Sequence, residues 1–320
     1  MKKMISIMLS FSLMFVMVAC TESVKEKTNA DSKTTRTETT IEKKDEEPTS
    51  KTTVNESVDN LAGFVSDYTV SNEVIVDNDH CVVTLVSGQA KNSGGAEFKF
   101  LLENKTKDTT LMFSIDDIAV NGWMVSSLFA KEITPGKKAN ETLSFNKSTF
   151  EDIGVISVDK IEFKLRVYDS NDWSADRVVD DTFIVYPTGK DESQITVSER
   201  WKGNNEKTIV ENDKVSFVVL GTYNDDIWGY TVAVYLENKT DQTLMYTWKD
   251  ASIDGYMIDP FWATTITPGN KKIDTISFSK SQLEENGIKT VGEIEFTLRI
   301  YDDNNWSAKS VVEETFKYAA

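Results

Sequence analysis

The sequence predicts an all-β protein of two tandem β-sandwich domains. Three observations carry that prediction: a long internal repeat, period-two runs of branched and aromatic residues in each copy, and very few helix signals. Leu102-Glu103-Asn104-Lys105-Thr106 returns as Leu236-Glu237-Asn238-Lys239-Thr240, and Ile133-Thr134-Pro135-Gly136 returns as Ile266-Thr267-Pro268-Gly269. Tyr168-Asp169 and Trp173-Ser174-Ala175 recur as Tyr301-Asp302 and Trp306-Ser307-Ala308. At a constant shift of 133, residues 110–186 lie on 243–319 without a gap, and 35 of these 77 positions are identical. Upstream the shift is 134, which puts a one-residue change in the turn after Thr106, where a loop tolerates it. The copies span 61–187 and 194–320, joined by the short polar stretch 188–193. The 320-residue chain leaves each copy long enough to bury a core and fold by itself.

Within the first copy, segments 81–86, 97–102, 111–115, 161–168 and 178–185 alternate apolar with polar residues and read as strands. Thr134-Pro135-Gly136 suits a type II turn, because proline presets the second turn position and glycine accepts the positive φ of the third. One short helix is predicted, with Ser148-Thr149-Phe150-Glu151 as a capping box closed by Gly154; Ser281, Glu284 and Gly287 repeat it. Seven or eight antiparallel strands with one helical turn crossing between sheets make the outline of an immunoglobulin-like sandwich. The Asn-Lys-Thr turn, Asn121-Gly122, the Pro-Gly turn and the closing Phe-x-Leu-x-Val-Tyr-Asp strand resemble the immunoglobulin-like domains carried by lipoproteins of low-GC Gram-positive bacteria. That resemblance covers both copies, and it implies a fold and a surface location, not a reaction.

Residues 1–19 read as an export signal: Lys2 and Lys3 precede fifteen mostly apolar residues, fewer than the about 20 that a spanning helix needs. Met17-Val18-Ala19-Cys20 is similar to the lipobox of bacterial lipoproteins, departing from it at Met17, where the family usually has Leu. The resemblance implies that Cys20 receives a diacylglycerol and becomes the N-terminus on the extracytoplasmic face of the cell membrane. Several acyl chains anchor durably where a single one does not. Residues 20–60 follow as the lipidated cysteine and a disordered tether, with ten threonines, many charges and no aromatic residue. A coil of that length spans roughly 35 Å.

The formal charge of −17 becomes −19 once Lys2 and Lys3 leave with the signal, so nucleic acid is not expected as a partner. No cofactor, metal or catalytic residue is assigned. The lone histidine, His80, precedes Cys81, but neighbours on a strand point to opposite faces, and the second copy has Lys214 and Val215 there. Cys81 reads as a buried strand thiol. The acidic turns Asp169-Ser170-Asn171-Asp172 and Asp302-Asp303-Asn304-Asn305 offer oxygens to calcium but lack a twelve-residue loop ending in Glu, so they read as plain turns.

Trp173 and Trp306 match between the copies and are expected to seal the sandwich ends. Trp123, Trp173, Trp228, Trp248, Trp262 and Trp306 are candidates for a flat sugar-binding platform, although most of them read as core or edge packing; Trp228, Trp248 and Trp262 have no Trp counterpart in the first copy, so any ligand face is expected on the second. The function expected is non-enzymatic: a membrane-anchored lipoprotein displaying two binding or adhesion modules toward a cell-wall glycan or a surface protein. A structural envelope component without a free ligand and an unrecognised hydrolase are the alternatives. Replacing Cys20→Ala should abolish incorporation of labelled fatty acid; a variant that still takes up label contradicts the lipobox reading.

Overall fold

Alternation of apolar with polar residues sets the strands, and in the computed structural model, which describes Phe64, 67–203 and 205–320, each copy has nine of them. Cys20, the signal segment 1–19 and the tether lie outside the described residues. Copy one contains β1 (Ser71–Asp77), β2 (Cys81–Ala90), β3 (Gly95–Asn104), β4 (Leu111–Val120), β5 (Trp123–Met124), β6 (Ala130–Ile133), β7 (Lys138–Asn146), α1 (Lys147–Glu151), β8 (Ile161–Asp169) and β9 (Val179–Val185). Copy two contains β10 (Lys207–Glu211), β11 (Val215–Asp225), β12 (Gly229–Asn238), β13 (Leu244–Ile253), β14 (Tyr256–Met257), β15 (Ala263–Ile266), β16 (Lys271–Phe278), α2 (Lys280–Glu285), β17 (Glu293–Asp302) and β18 (Val312–Ala319). The count exceeds seven or eight because β5, β6, β14 and β15 are too short to display a period of two.

The fold is an all-β sandwich built twice. In copy one the sheet β1-β2-β3-β7 packs on β5-β4-β8-β9, with β6 also paired to β4. Phe100 of β3 meets Phe163 of β8 edge-on across the sandwich, ring centroids 6.1 Å apart. In copy two β10-β11-β12-β16 packs on β14-β13-β17-β18, and Trp248 of β13 stacks on Phe296 of β17 at 3.8 Å. The helical turn crosses between the sheets in both copies, but not with the expected caps. Asn146 and Ser279 occupy the N-cap positions without a side-chain cap bond, and Ser148 and Ser281 are the second residues of the helices, so no capping box forms. The Pro-Gly turns are as expected: Gly136 and Gly269 have φ of 67° and 70°, closed by Lys137 N–H to Thr134 O and Asn270 N–H to Thr267 O, both 3.2 Å.

The repeated Asn-Lys-Thr motif has a core role. Asn104 is fully buried, and its amide donates to Thr109 O and Ile133 O, both at 2.8 Å, while its carbonyl accepts from Thr106 N–H (2.9 Å) and Thr106 Oγ1 (2.7 Å). Asn238 repeats the arrangement with Gln242 O, Ile266 O and both donors of Thr240. Each side chain makes all four of the bonds that an amide can make.

The copies are not the self-contained modules that the sequence suggests. Lys271 N–H donates to Gly122 O at 3.0 Å, which pairs β16 with β5 in parallel and merges two sheets into one, in the order β10-β11-β12-β16-β5-β4-β8-β9. Trp123 lies buried in this seam, 6.1 Å from the Tyr235 ring, with Nε1 donating to Ser198 O at 3.3 Å. Val218, Leu220 and Tyr235 of copy two pack into the core of copy one, and Ala119 and Met124 of copy one into that of copy two. The strandless residues 195–203 lie across both. Trp201 N–H donates to Asp152 O at 3.1 Å, and Gly203 passes so close that a Cβ there would stand 1.8 Å from Leu220 O. The two sandwiches accordingly belong to one compact unit.

A single cooperative melt of the full chain is expected by calorimetry. Trp123→Ala should cost about 3–5 kcal/mol and split the melt in two; two transitions in the unaltered chain would contradict the shared core.

Candidate binding surface

The structure separates the polar candidates. Cys81 opens β2 facing the core, wholly buried, and burial, the largest influence, pushes its thiol up to about 11. His80 is exposed beside it; the backbone N–H groups of both residues donate to Asn78 Oδ1, at 2.9 and 2.8 Å. The two side chains are not brought together. Among the described residues no group of three or more His, Cys, Asp or Glu side chains is arranged to hold a metal ion. The acidic turns bond inwardly: Asp169 Oδ1 accepts from Asn171 N–H (2.9 Å), Asp172 Oδ1 from Ser174 N–H (3.0 Å) and Oγ (2.6 Å), and Asp302 Oδ1 from Asn304 N–H (2.9 Å). The Ser174 bonds hold the Asp172 carboxyl below its usual range. These carboxylates close turns, as expected.

The tryptophans divide between core and surface, and the matched pair departs from expectation. Trp173 and Trp306 are 77% and 72% exposed and seal nothing. Trp248 and Trp262 are core residues, edge-on to each other at 6.1 Å, so they present no face to a ligand. Their positions correspond to Ile115 and Phe129, both buried in copy one, and that correspondence was the available signal. Trp123 is taken up by the seam.

Trp228 alone of the three extra tryptophans reaches the surface, at the tip joining β11 to β12. Asp225 Oδ1 accepts from Ile227 N–H and Trp228 N–H, both at 2.8 Å, which fixes a tight turn and sets the two side chains outward. Ile227 is 79% and Trp228 67% exposed, and Tyr223 adds a half-exposed ring nearby on β11. In copy one the corresponding tip carries Lys91, Ser93 and Gly94, with Lys91 Nζ donating to Asn146 Oδ1 at 2.7 Å and Ser144 Oγ at 3.1 Å. The same hairpin is thus polar in one copy and apolar in the other.

A concavity of about 240 Å³ opens along the seam between Trp123, Ser198, Arg200, Lys202, Tyr235 and Lys271. Its aromatic faces are already covered by the chain's own cations: the Arg200 guanidinium lies 4.6 Å from the Tyr235 ring centre and Lys271 Nζ 6.0 Å from that of Trp123. Arg200 is further tied to both oxygens of Glu206. The arrangement closes the junction and leaves little for a ligand to displace. Arg200 and Trp201 were missed in the sequence because their stretch has no periodic pattern.

No protein-family model and no curated protein matches the chain. Among solved structures, it is similar to the crystal structure of red sea bream transglutaminase, with a TM-score of 0.22 and 9% identity over 76% of this chain. The chain spans 31% of the length of that protein.

In a Cys20→Ala chain, Cys81 should react with a maleimide only as fast as the protein unfolds. Its thiol ionises near 9.0 when unfolded and near 11 when folded, so above pH 9 the unfolded state binds fewer protons. The contribution is full below pH 9 and is lost as pH rises toward 11. Rapid labelling at neutral pH would contradict the buried placement.

Proposed function

We propose that this chain is a non-enzymatic surface lipoprotein, held by lipid on Cys20 at the extracytoplasmic face of the cell membrane, whose β11–β12 tip binds a cell-wall glycan. The observation that carries this reading is the Asp225 turn, which holds Ile227 and Trp228 largely in solvent. Apolar side chains grouped at the surface and rimmed by polar ones are a common mark of an interaction site. A rigid indole costs little entropy to immobilise, and its flat face matches the apolar face of a pyranose ring. The seam supports the same reading, because a shared core holds the tip on a stiff two-sandwich body that a 20–60 tether of roughly 35 Å lifts from the membrane.

Titration of the full chain with wall polysaccharides should shift tryptophan emission. Trp228→Ala should weaken binding at least tenfold, which is about 1.4 kcal/mol or more, whereas Trp173→Ala should leave it unchanged. Equal binding by Trp228→Ala, or no response from the full chain, would overturn the assignment.

A further inference from the structure

The contact that joins the two copies has a second, unused set of partners at the opposite ends of the unit. In the seam, the β4–β5 corner of copy one meets the Pro-Gly turn and the start of β16 in copy two. Lys271 N–H donates to Gly122 O (3.0 Å), Thr267 Oγ1 to Met124 Sδ (3.1 Å), and Asn270 Nδ2 to Glu162 Oε1 (3.4 Å). The shift of 133 carries each of these groups onto a counterpart. Gly122, Trp123, Met124 and Glu162 become Gly255, Tyr256, Met257 and Glu295, while Thr267, Asn270 and Lys271 become Thr134, Lys137 and Lys138.

Among the described residues both counterpart edges are free of strand partners. β7, which begins at Lys138, ends the sheet β1-β2-β3-β7, and β14, made of Tyr256 and Met257, ends the sheet β14-β13-β17-β18. Tyr256 and Met257 are 49% and 69% exposed, against 1% and 9% for Trp123 and Met124. The Thr134–Lys138 turn is likewise exposed, where Thr267 and Asn270 are buried. The backbone is preset for the same docking: Gly122 and Gly255 have φ of 85° and 84°, and Gly136 and Gly269 have 67° and 70°. A free strand edge with apolar side chains is a ready template for pairing.

We propose that copies of this chain associate head to tail, the β14 corner of one docking on the Thr134–Lys138 turn of the next as β5 docks on β16 within the chain. The chemistry of the pairing is preserved or improved. An aromatic ring and a methionine again face a lysine and a threonine, and the Glu162–Asn270 hydrogen bond is replaced by an opposite-charge pair, Glu295 with Lys137. Two features make this contact weaker than the seam. Leu101 stands where Tyr235 stands. Glu295 must also be drawn from Lys317, 2.8 Å away. The two surfaces differ, so the contact is heterologous and builds a ring or an open chain, not a two-fold dimer.

The test uses the full chain with Cys20→Ser, in which buried Cys81 is silent. Lys138→Cys and Tyr256→Cys are placed in separate preparations, since their counterparts Lys271 and Trp123 are paired residues in the seam. Oxidation of the mixture should give a disulfide between unlike chains, at least tenfold over either preparation alone. Lys137→Glu in the Lys138→Cys chain should reduce that yield about tenfold, and Glu295→Lys in its partner should restore it. Both engineered cysteines lie on exposed positions, so folding is not at stake. Linkage of like with like at the same yield, or no linkage above the level of a denatured mixture, would overturn the proposal.

Discussion

A buried asparagine amide organises each copy, and the seam depends on one of them. Asn238 joins the end of β12, the turn leading into β13 and the end of β15 through its side chain, and its backbone N–H donates to Asn270 O at 3.0 Å. It thereby fixes both ends of the Thr267–Asn270 turn, and that turn receives Met124 and, through Lys271, the carbonyl of Gly122. Removing the amide would orphan buried carbonyls and an N–H, at roughly 1–3 kcal/mol for each uncompensated group. Against a total stability of only about 5–15 kcal/mol, the geometry of the junction rests on a few atoms.

Duplication supplied two equal sandwiches, and divergence made them unequal at the surfaces that meet. At two positions where the copies touch, the larger side chain of the matched pair is present: Trp123 against Tyr256, and Tyr235 against Leu101. Glu162 shows what the contact costs, since burial at the seam raises its carboxyl above the ordinary range while Lys160 and Asn270 only partly offset it. A polar group desolvated in this way is tolerated when neighbouring apolar burial is large, and Trp123, Met124, Val218, Leu220 and Tyr235 supply that burial.

The sandwiches were legible in the sequence because their determinants are local. Period two places Cys81, Val83 and Leu85 on one face, and proline before glycine specifies a turn whatever surrounds it. The seam was not legible, since it joins residues far apart in sequence and its covering residues 195–203 follow no period. The capping boxes were misread because Ser148 and Ser281 have the right spacing to Glu but lie inside helices that begin earlier, at Lys147 and Lys280. Core packing, expected for most of the tryptophans, holds for Trp123, Trp248 and Trp262, and alternation shows why at Trp248. Trp248 shares a strand face with Leu244 and Tyr246, both fully buried, and so belongs inside.

The exposed aromatics divide by the same comparison between copies. Trp173 and Trp306 are exposed in equivalent turns, and Trp306 is tied there through its carbonyl, which accepts from Arg299 Nη2 at 2.9 Å. Whatever holds them outward belongs to the common design of the domain. Ile227 and Trp228 have Ser93 and Gly94 as counterparts, so the fold plainly tolerates a polar tip at this hairpin. Packing therefore gives no reason for an indole there, and neither does the turn, which Asp225 would close as well around polar side chains. Ile227 and Trp228 are thus exposed apolar groups that the fold does not require, present in one copy and held by two backbone bonds, and the proposed glycan contact is built on them.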